Sequence, residues 1–173
     1  MIASSIFLII LVGTVVSVQV YGLKVYAFTA AKVKATTSGT ETLNNIRDRV
    51  RAAKQVYVGT YTNNVFTTIP NGTSQTGNAL QVLSTTNVAN ASVFYLDPDT
   101  SSMNFVDNGT TTITGQNITN YYCFQAEDFQ GNVLTNYLNN PVMTITLMYK
   151  QQATPSACEY YRLHTRITMR TKN

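Results

Sequence analysis

Apolar residues fill the start of the chain without interruption. Met1 to Val18 reads MIASSIFLIILVGTVVSV, and the first charge is Lys24. An uncharged run of this length lies at the lower edge of the ~17–25 residues that cross a hydrocarbon core of about 30 Å. A cleaved secretory signal needs a basic start and a small-residue cleavage site, and neither is visible here. The segment is therefore expected to stay on the mature protein, buried in a membrane or in something equally apolar. After Lys24 the apolar spacing changes. Leu43, Ile46, Val50, Ala53 and Val56 recur in steps of three and four, which marks one face of an amphipathic helix. Arg47, Asp48, Arg49, Arg51 and Lys54 fall off that stripe. No proline precedes Pro70, so the spacing predicts a single helix from near Met1 to about Tyr57, ~85 Å long at 1.5 Å per residue. Its two weak places are Gly13 among β-branched neighbours and Thr36-Thr37-Ser38-Gly39-Thr40, where helix propensity is poor.

From Tyr57 onward the period becomes two. Ser92–Asp97, Val142–Lys150 and Glu159–Arg170 alternate, and the last puts Tyr161, Leu163, Thr165, Ile167 and Met169 on one face. Arg162, His164, Arg166, Thr168 and Arg170 take the other. Turn signals stand between the strands at Pro70-Asn71-Gly72, Asp97-Pro98-Asp99, Asp107-Asn108-Gly109, Gln130-Gly131-Asn132 and Asn139-Asn140-Pro141. The predicted fold is α+β in three parts: an apolar helix over 1–23, its amphipathic continuation over 24–57, and an antiparallel β head over 58–173. The stripe of the second part should cover one face of the sheet, because a lone sheet leaves apolar area in water.

Composition narrows the function. The chain is 44% apolar and 10% aromatic, with only 12% charged residues, which excludes a charge-rich disordered chain. Its 27 Thr and 17 Asn suit strands, turns and an uncharged extracellular surface. One His, two Cys and eight carboxylates are little material for acid–base or metal chemistry, so neither an enzyme nor a cofactor is expected. The net charge of +4 is concentrated between Lys24 and Lys54, which carries +5, while the rest of the chain sums to −1.

An apolar helix beginning MIASSIFLII, continuing through LNNIRDRVRAAKQVYVG and feeding a small β-sheet, resembles the N-terminal third of the bacterial type IV pilins and pseudopilins. The segments FQAEDFQGNVLTN and CEYYRLHTRITMR are similar to the tails of prepilin-type proteins with a large β head. Prepilins of that family carry a short basic leader, a phenylalanine start, a threonine-leucine pair and a glutamate before a stretch much like MIAS. If Met1 aligns with the methionine of that stretch, the glutamate lies two residues upstream of Met1; if Met1 is the mature start, Ser5 takes its place. The first alignment is the expectation. The resemblance implies a structural subunit that polymerises through Ile6, Phe7, Leu8, Ile9, Ile10, Leu11, Val12, Gly13, Val15 and Val16, with Gly13 a natural place for the helix to melt and stretch. It further implies a homo-oligomeric helical filament outside the cell, residence in the inner membrane before assembly, and a prepilin peptidase and an inner-membrane pilus or secretion machinery as partners. Such fibres serve motility, adhesion, DNA uptake or secretion. The competing reading is a membrane-anchored β binding domain acting as a monomer. Lys24, Lys32 and Lys34 after the apolar run would put the head in the cytoplasm by the positive-inside rule, and the resemblance overrides this, placing the head outside.

The remaining candidates are weaker. Cys123 and Cys158 are the two cysteines; paired in an oxidising compartment they would close a loop of about 35 residues and add ~3–4 kcal/mol, while free, buried thiols are the alternative. Asn71, Asn90, Asn108 and Asn117 open glycosylation triplets, for which turn chemistry is the simpler reason. Arg162, Arg166, Arg170 and Lys172 could release counterions from nucleic acid, but a solvated strand face, or pairing with a neighbour's carboxylates, is expected instead. His164 has no nucleophile beside it. Glu127-Asp128 supplies too few spaced oxygens for calcium. Phe7, Tyr21, Tyr26 and Phe28 on the helix are read as packing residues.

Overall fold

A computed structural model describes residues 2–84, 91–136, 142–154 and 157–169, the side chains of 2–7, 153, 154 and 157 excepted. The helix α1 (Ile2–Ala52) has 51 residues, about 76 Å of rise, and runs unbroken through both places expected to be weakest. Hydroxyls there bond back to the helix itself: Thr14 donates to Leu11 O at 2.8 Å, Ser17 to Gly13 O at 2.8 Å, and Thr42 to Ser38 O at 2.9 Å. The expected continuation to Tyr57 is corrected. The helix stops at Ala52, and the Lys54 amide is captured by Leu83 O at 2.8 Å. Val56 therefore sits on a strand; the sequence QVYVGTYT, rich in β-branched and aromatic residues, favours that outcome.

Ten strands follow among the described residues: β1 (Gln55–Thr62), β2 (Val65–Thr68), β3 (Thr76–Gly77), β4 (Ala79–Leu83), β5 (Ala91–Asp97), β6 (Ser102–Asp107), β7 (Thr110–Gln116), β8 (Phe124–Glu127), β9 (Val142–Thr154) and β10 (Ala157–Thr168). They form two antiparallel sheets rather than one, in the orders β2-β1-β4-β5-β6-β7 and β10-β9-β8-β3. The fold is α+β. The chain passes from the smaller sheet to the larger at Asn78, between β3 and β4. Asn108-Gly109 makes the two-residue β6–β7 turn with positive φ at both positions, as its sequence predicts. Asn63-Asn64 does the same between β1 and β2, without a glycine to announce it. The expected turn at Asn139-Asn140-Pro141 lies outside the described residues.

Register explains the core. Val58, Leu80, Phe94 and Phe105 face one another across four strands of the larger sheet, with the two Phe ring centroids 4.5 Å apart. In the smaller sheet Met143, Ile145, Leu147 and Tyr149 of β9 stand opposite Ile167, Thr165, Leu163 and Tyr161 of β10. The inner and outer faces of β10 are those the alternation predicts, with Arg162, His164 and Arg166 exposed. One continuous cluster of buried side chains joins both sheets to Ala35, Ile46 and Val50 of α1 and to Ala53 just past its end. Two points fix how closely α1 docks. A Cβ at Gly39 would run into Leu163 and the Tyr149 ring, and the Thr42 hydroxyl, its one proton shared with Ser38 O, also reaches Thr114 O of β7 at 2.6 Å. Burial raises the Tyr149 phenol above its ordinary pKa, opposed in part by the neighbouring Thr42 hydroxyl.

Candidate functional site

The buried stripe of α1 begins at Ala31 and continues through Ala35, Gly39, Thr42, Ile46 and Val50. Leu43 is half-buried beside it, and Ala53 and Val56 enter the same core from beyond the helix end. The upper part of this stripe, Ala31 to Thr42, consists of small residues, which carry no hydropathy signal yet recur in steps of three and four. That spacing was the available clue.

N-terminal to Ala27, every described side chain of the helix is exposed. Thirteen large apolar side chains between Leu8 and Tyr26 are exposed, from Leu8 at 64% to Tyr26 at 74%. They surround the helix rather than lining one side: Ile9, Ile10, Leu11 and Val12 are all exposed in sequence. The most apolar part has a mean hydropathy of 1.9 and is wholly unburied. Leu8 to Tyr26 rises about 28 Å at 1.5 Å per residue, close to the thickness of a hydrocarbon core. Because Thr14 and Ser17 turn their hydroxyls onto Leu11 O and Gly13 O, these two groups do not bring an unmet donor into an apolar surrounding. A Cβ at Gly13 or Gly22 would meet nothing within 4 Å, so the head makes no demand on either glycine. Of the residues expected to carry assembly, Leu8, Ile9, Ile10, Leu11, Val12, Gly13, Val15 and Val16 are all exposed, while the Ile6 and Phe7 side chains lie outside the described residues.

The cysteine pairing is not made. Both thiols are free, Cys123 buried and Cys158 exposed. Cys123 O accepts from Thr146 N of β9 at 2.9 Å, whereas Cys158 stands opposite Gln152. Six residues of β9 separate those positions, about 20 Å at ~3.3 Å per residue, against a limit near 7 Å between bridged Cα atoms. The Cys123 thiol donates instead to Asn78 O at 3.7 Å, and burial pushes its pKa well up. The bridge considered for an oxidising compartment is therefore corrected to two free thiols. In native protein one thiol, Cys158, should alkylate rapidly and Cys123 should react only after unfolding. Mass spectrometry after iodoacetamide, with and without denaturant but without reductant, checks this; unfolded protein with no reactive thiol would restore the bridge.

The other candidates have local partners. Arg166 pairs with Glu127 at 3.1 Å and donates to Asp128 O at 3.1 Å. The Asp128 carboxylate accepts from the Asn132 side chain and amide, both at 2.8 Å, and these bonds hold its pKa below the usual carboxylate value. His164 Nδ1 lies 3.0 Å from the Thr146 hydroxyl. Arg49 reaches Asp107 at 3.8 Å and lies over the Phe105 ring at 4.8 Å. Lys24, Lys32 and Lys34 are exposed on α1. Asn71, Asn108 and Asn117 are exposed, the last two with positive φ; Asn90, Arg170 and Lys172 lie outside the described residues. No family model, curated protein or solved structure matches this chain.

Proposed function

We propose that this chain is a structural subunit that polymerises through its N-terminal helix into a filament like the type IV pilus. The observation behind the reading is the length of helix, apolar on every side, that stands clear of the head. A helix of that kind is insoluble alone, and packing side by side with copies of itself removes it from water. Thirteen exposed apolar side chains, each worth about 1.5–3 kcal/mol on burial, supply tens of kcal/mol per subunit. A contact of this sort repeats without closing on itself and so builds an open helical fibre. The same segment matches a bilayer in length, so it can hold the subunit in the inner membrane before assembly, where a prepilin peptidase and an assembly machinery would act on it. The head then faces outward along the fibre.

That length also favours the second reading, a monomer anchored by one membrane helix. A shortened chain starting at Lys24 keeps Ala31, Ala35, Ile46 and Val50 for the head and loses the uncharged run. It is expected to be soluble, folded and unable to polymerise, while the full chain forms ordered fibres in electron micrographs. A full-length protein that stays a detergent-bound monomer under all assembly conditions would favour the anchor, and a shortened chain that still forms fibres would refute the role given to the helix.

A further inference from the structure

At one end of the larger sheet, strands β1 and β5 lose the strand between them, because β4 begins only at Ala79. Asn78 fills the gap. Its side chain is buried, its Oδ1 accepts from Tyr61 N at 3.2 Å, and its Nδ2 donates to Leu96 O at 3.3 Å. Its backbone oxygen also accepts from Leu96 N at 2.9 Å. Held in this way, the rings of Tyr61 and Tyr95 stack with centroids 4.1 Å apart and planes 24° from parallel. They form part of the wall of an open cleft of about 340 Å³, which Tyr121 also lines. Its rim is made by two tight turns, Asn63-Asn64 and Asp97-Pro98-Asp99. Both asparagines have positive φ, 52° and 63°. The Asp97 carboxylate holds its own turn, accepting from Asp99 N at 3.0 Å and from the Thr100 hydroxyl at 2.8 Å. The carboxamides of Asn63 and Asn64 and the carboxylate of Asp99 have no hydrogen-bond partner among the described residues. The cleft therefore joins an aromatic wall to uncommitted amide and carboxylate groups on braced turns.

We propose that this cleft binds a neutral saccharide. The class follows from what each wall can accept. A pyranose presents a C–H face that packs on aromatic carbon, and neighbouring hydroxyls that each donate and accept. Carboxamides offer one donor group and one acceptor, and a carboxylate accepts twice over. An anionic ligand would meet Asp97 and Asp99 with no Lys or Arg among the described residues that line the cleft. A purely apolar ligand would strip water from Asn63, Asn64 and Asp99 without replacing its hydrogen bonds. Burial, and the neighbouring Tyr95 after it, raise the Tyr61 phenol above its ordinary pKa. Because the turns are already set, little ordering opposes binding. The lining includes no described residue of α1, so the proposal does not rest on the filament reading.

The test uses the full chain in a zwitterionic detergent, which avoids sugar headgroups, on an array of neutral oligosaccharides built from hexoses and N-acetylhexosamines. Sialylated oligosaccharides and choline serve as the anionic and cationic probes. The chain has 11 Tyr and no Trp, so tyrosine fluorescence reports the affinity of a retained sugar. Asn64→Gly removes the carboxamide while permitting the left-handed turn, and Tyr121→Ala removes a half-exposed ring. Each should weaken binding at least about tenfold, the scale of one lost hydrogen bond or ring contact, with the melting temperature of the head unchanged. Retention of no neutral oligosaccharide, binding indifferent to both substitutions, or retention of the sialylated sugars or choline in place of the neutral ones would each overturn the proposal.

Discussion

Leu11→Asp is expected to abolish fibres and leave the head folded. Leu11 is 49% exposed in the isolated chain and lies twenty residues before the first buried position of α1 at Ala31, so the head does not notice the change. Its surroundings after assembly are different. Whether the helix waits in a bilayer or packs among its copies, an aspartate at position 11 has neither water nor a cationic partner. Insertion of an aspartate at the centre of a membrane helix costs about 2.5–3.5 kcal/mol, and burial among apolar side chains costs several kcal/mol more if the charge is kept. Every subunit carries the same penalty, so the loss accumulates along the fibre instead of being diluted. Electron micrographs of the variant should show no fibres at concentrations where the parent chain polymerises. The melting profile of the head should match the parent. Fibres of normal length built from the Leu11→Asp chain would contradict both the filament reading and the place of this residue in it.

The parts of the fold that a sequence reveals are those where one face is wet and the other dry. On β10 the alternation of Leu163, Thr165 and Ile167 with Arg162, His164 and Arg166 is plain, and the structure keeps it. On β4 four of the five residues in ALQVL are buried, so no alternation exists to be read. Val56 shows how a correct burial can come with the wrong element: it falls in phase with Leu43, Ile46 and Val50, yet it reaches the core from β1. Gly39 shows the reverse. Local propensity marks it as a place to break a helix, but close docking against Leu163 and Tyr149 requires a residue without a side chain, and tertiary packing overrides the propensity. The cysteine pair failed for a third reason. Sequence separation says nothing about register, and the register of β9 with β10 puts Cys158 at the far end of the hairpin from Cys123. The saccharide cleft was hidden for the same cause, since Tyr61 and Tyr95 become neighbours only through the crossing at Asn78.

Gly77→Val should cost the head ~3 kcal/mol or more. Gly77 ends β3 in the smaller sheet, and Gly59 lies in β1 of the larger one; the two sheets come together here backbone against backbone. A Cβ at Gly77 would collide with the carbonyl oxygen of Gly59 and lie 2.9 Å from its carbonyl carbon, with Val58 Cγ1 at 3.2 Å. Most overpacking is relieved by a side chain that rotates away, which is why it typically costs about 1–3 kcal/mol. That relief is absent in this case. The Gly59 backbone is held in register on both sides, opposite Thr68 of β2 and Ala79 of β4, and Gly77 O is fixed in turn by Cys123 N at 3.2 Å. Separating the sheets would open the core around Leu80 and Phe124, so the strain has nowhere inexpensive to go. For a domain of this size a loss of ~3 kcal/mol lowers the melting temperature by roughly 6–12 °C. Thermal melts of the full chain in detergent read the shift directly. Gly22→Ala is the control: a Cβ there meets nothing within 4 Å, and helix propensity favours alanine by about 1 kcal/mol, so the head should melt where the parent does. A Gly77→Val protein melting with the parent would mean that the two sheets do not meet at this glycine.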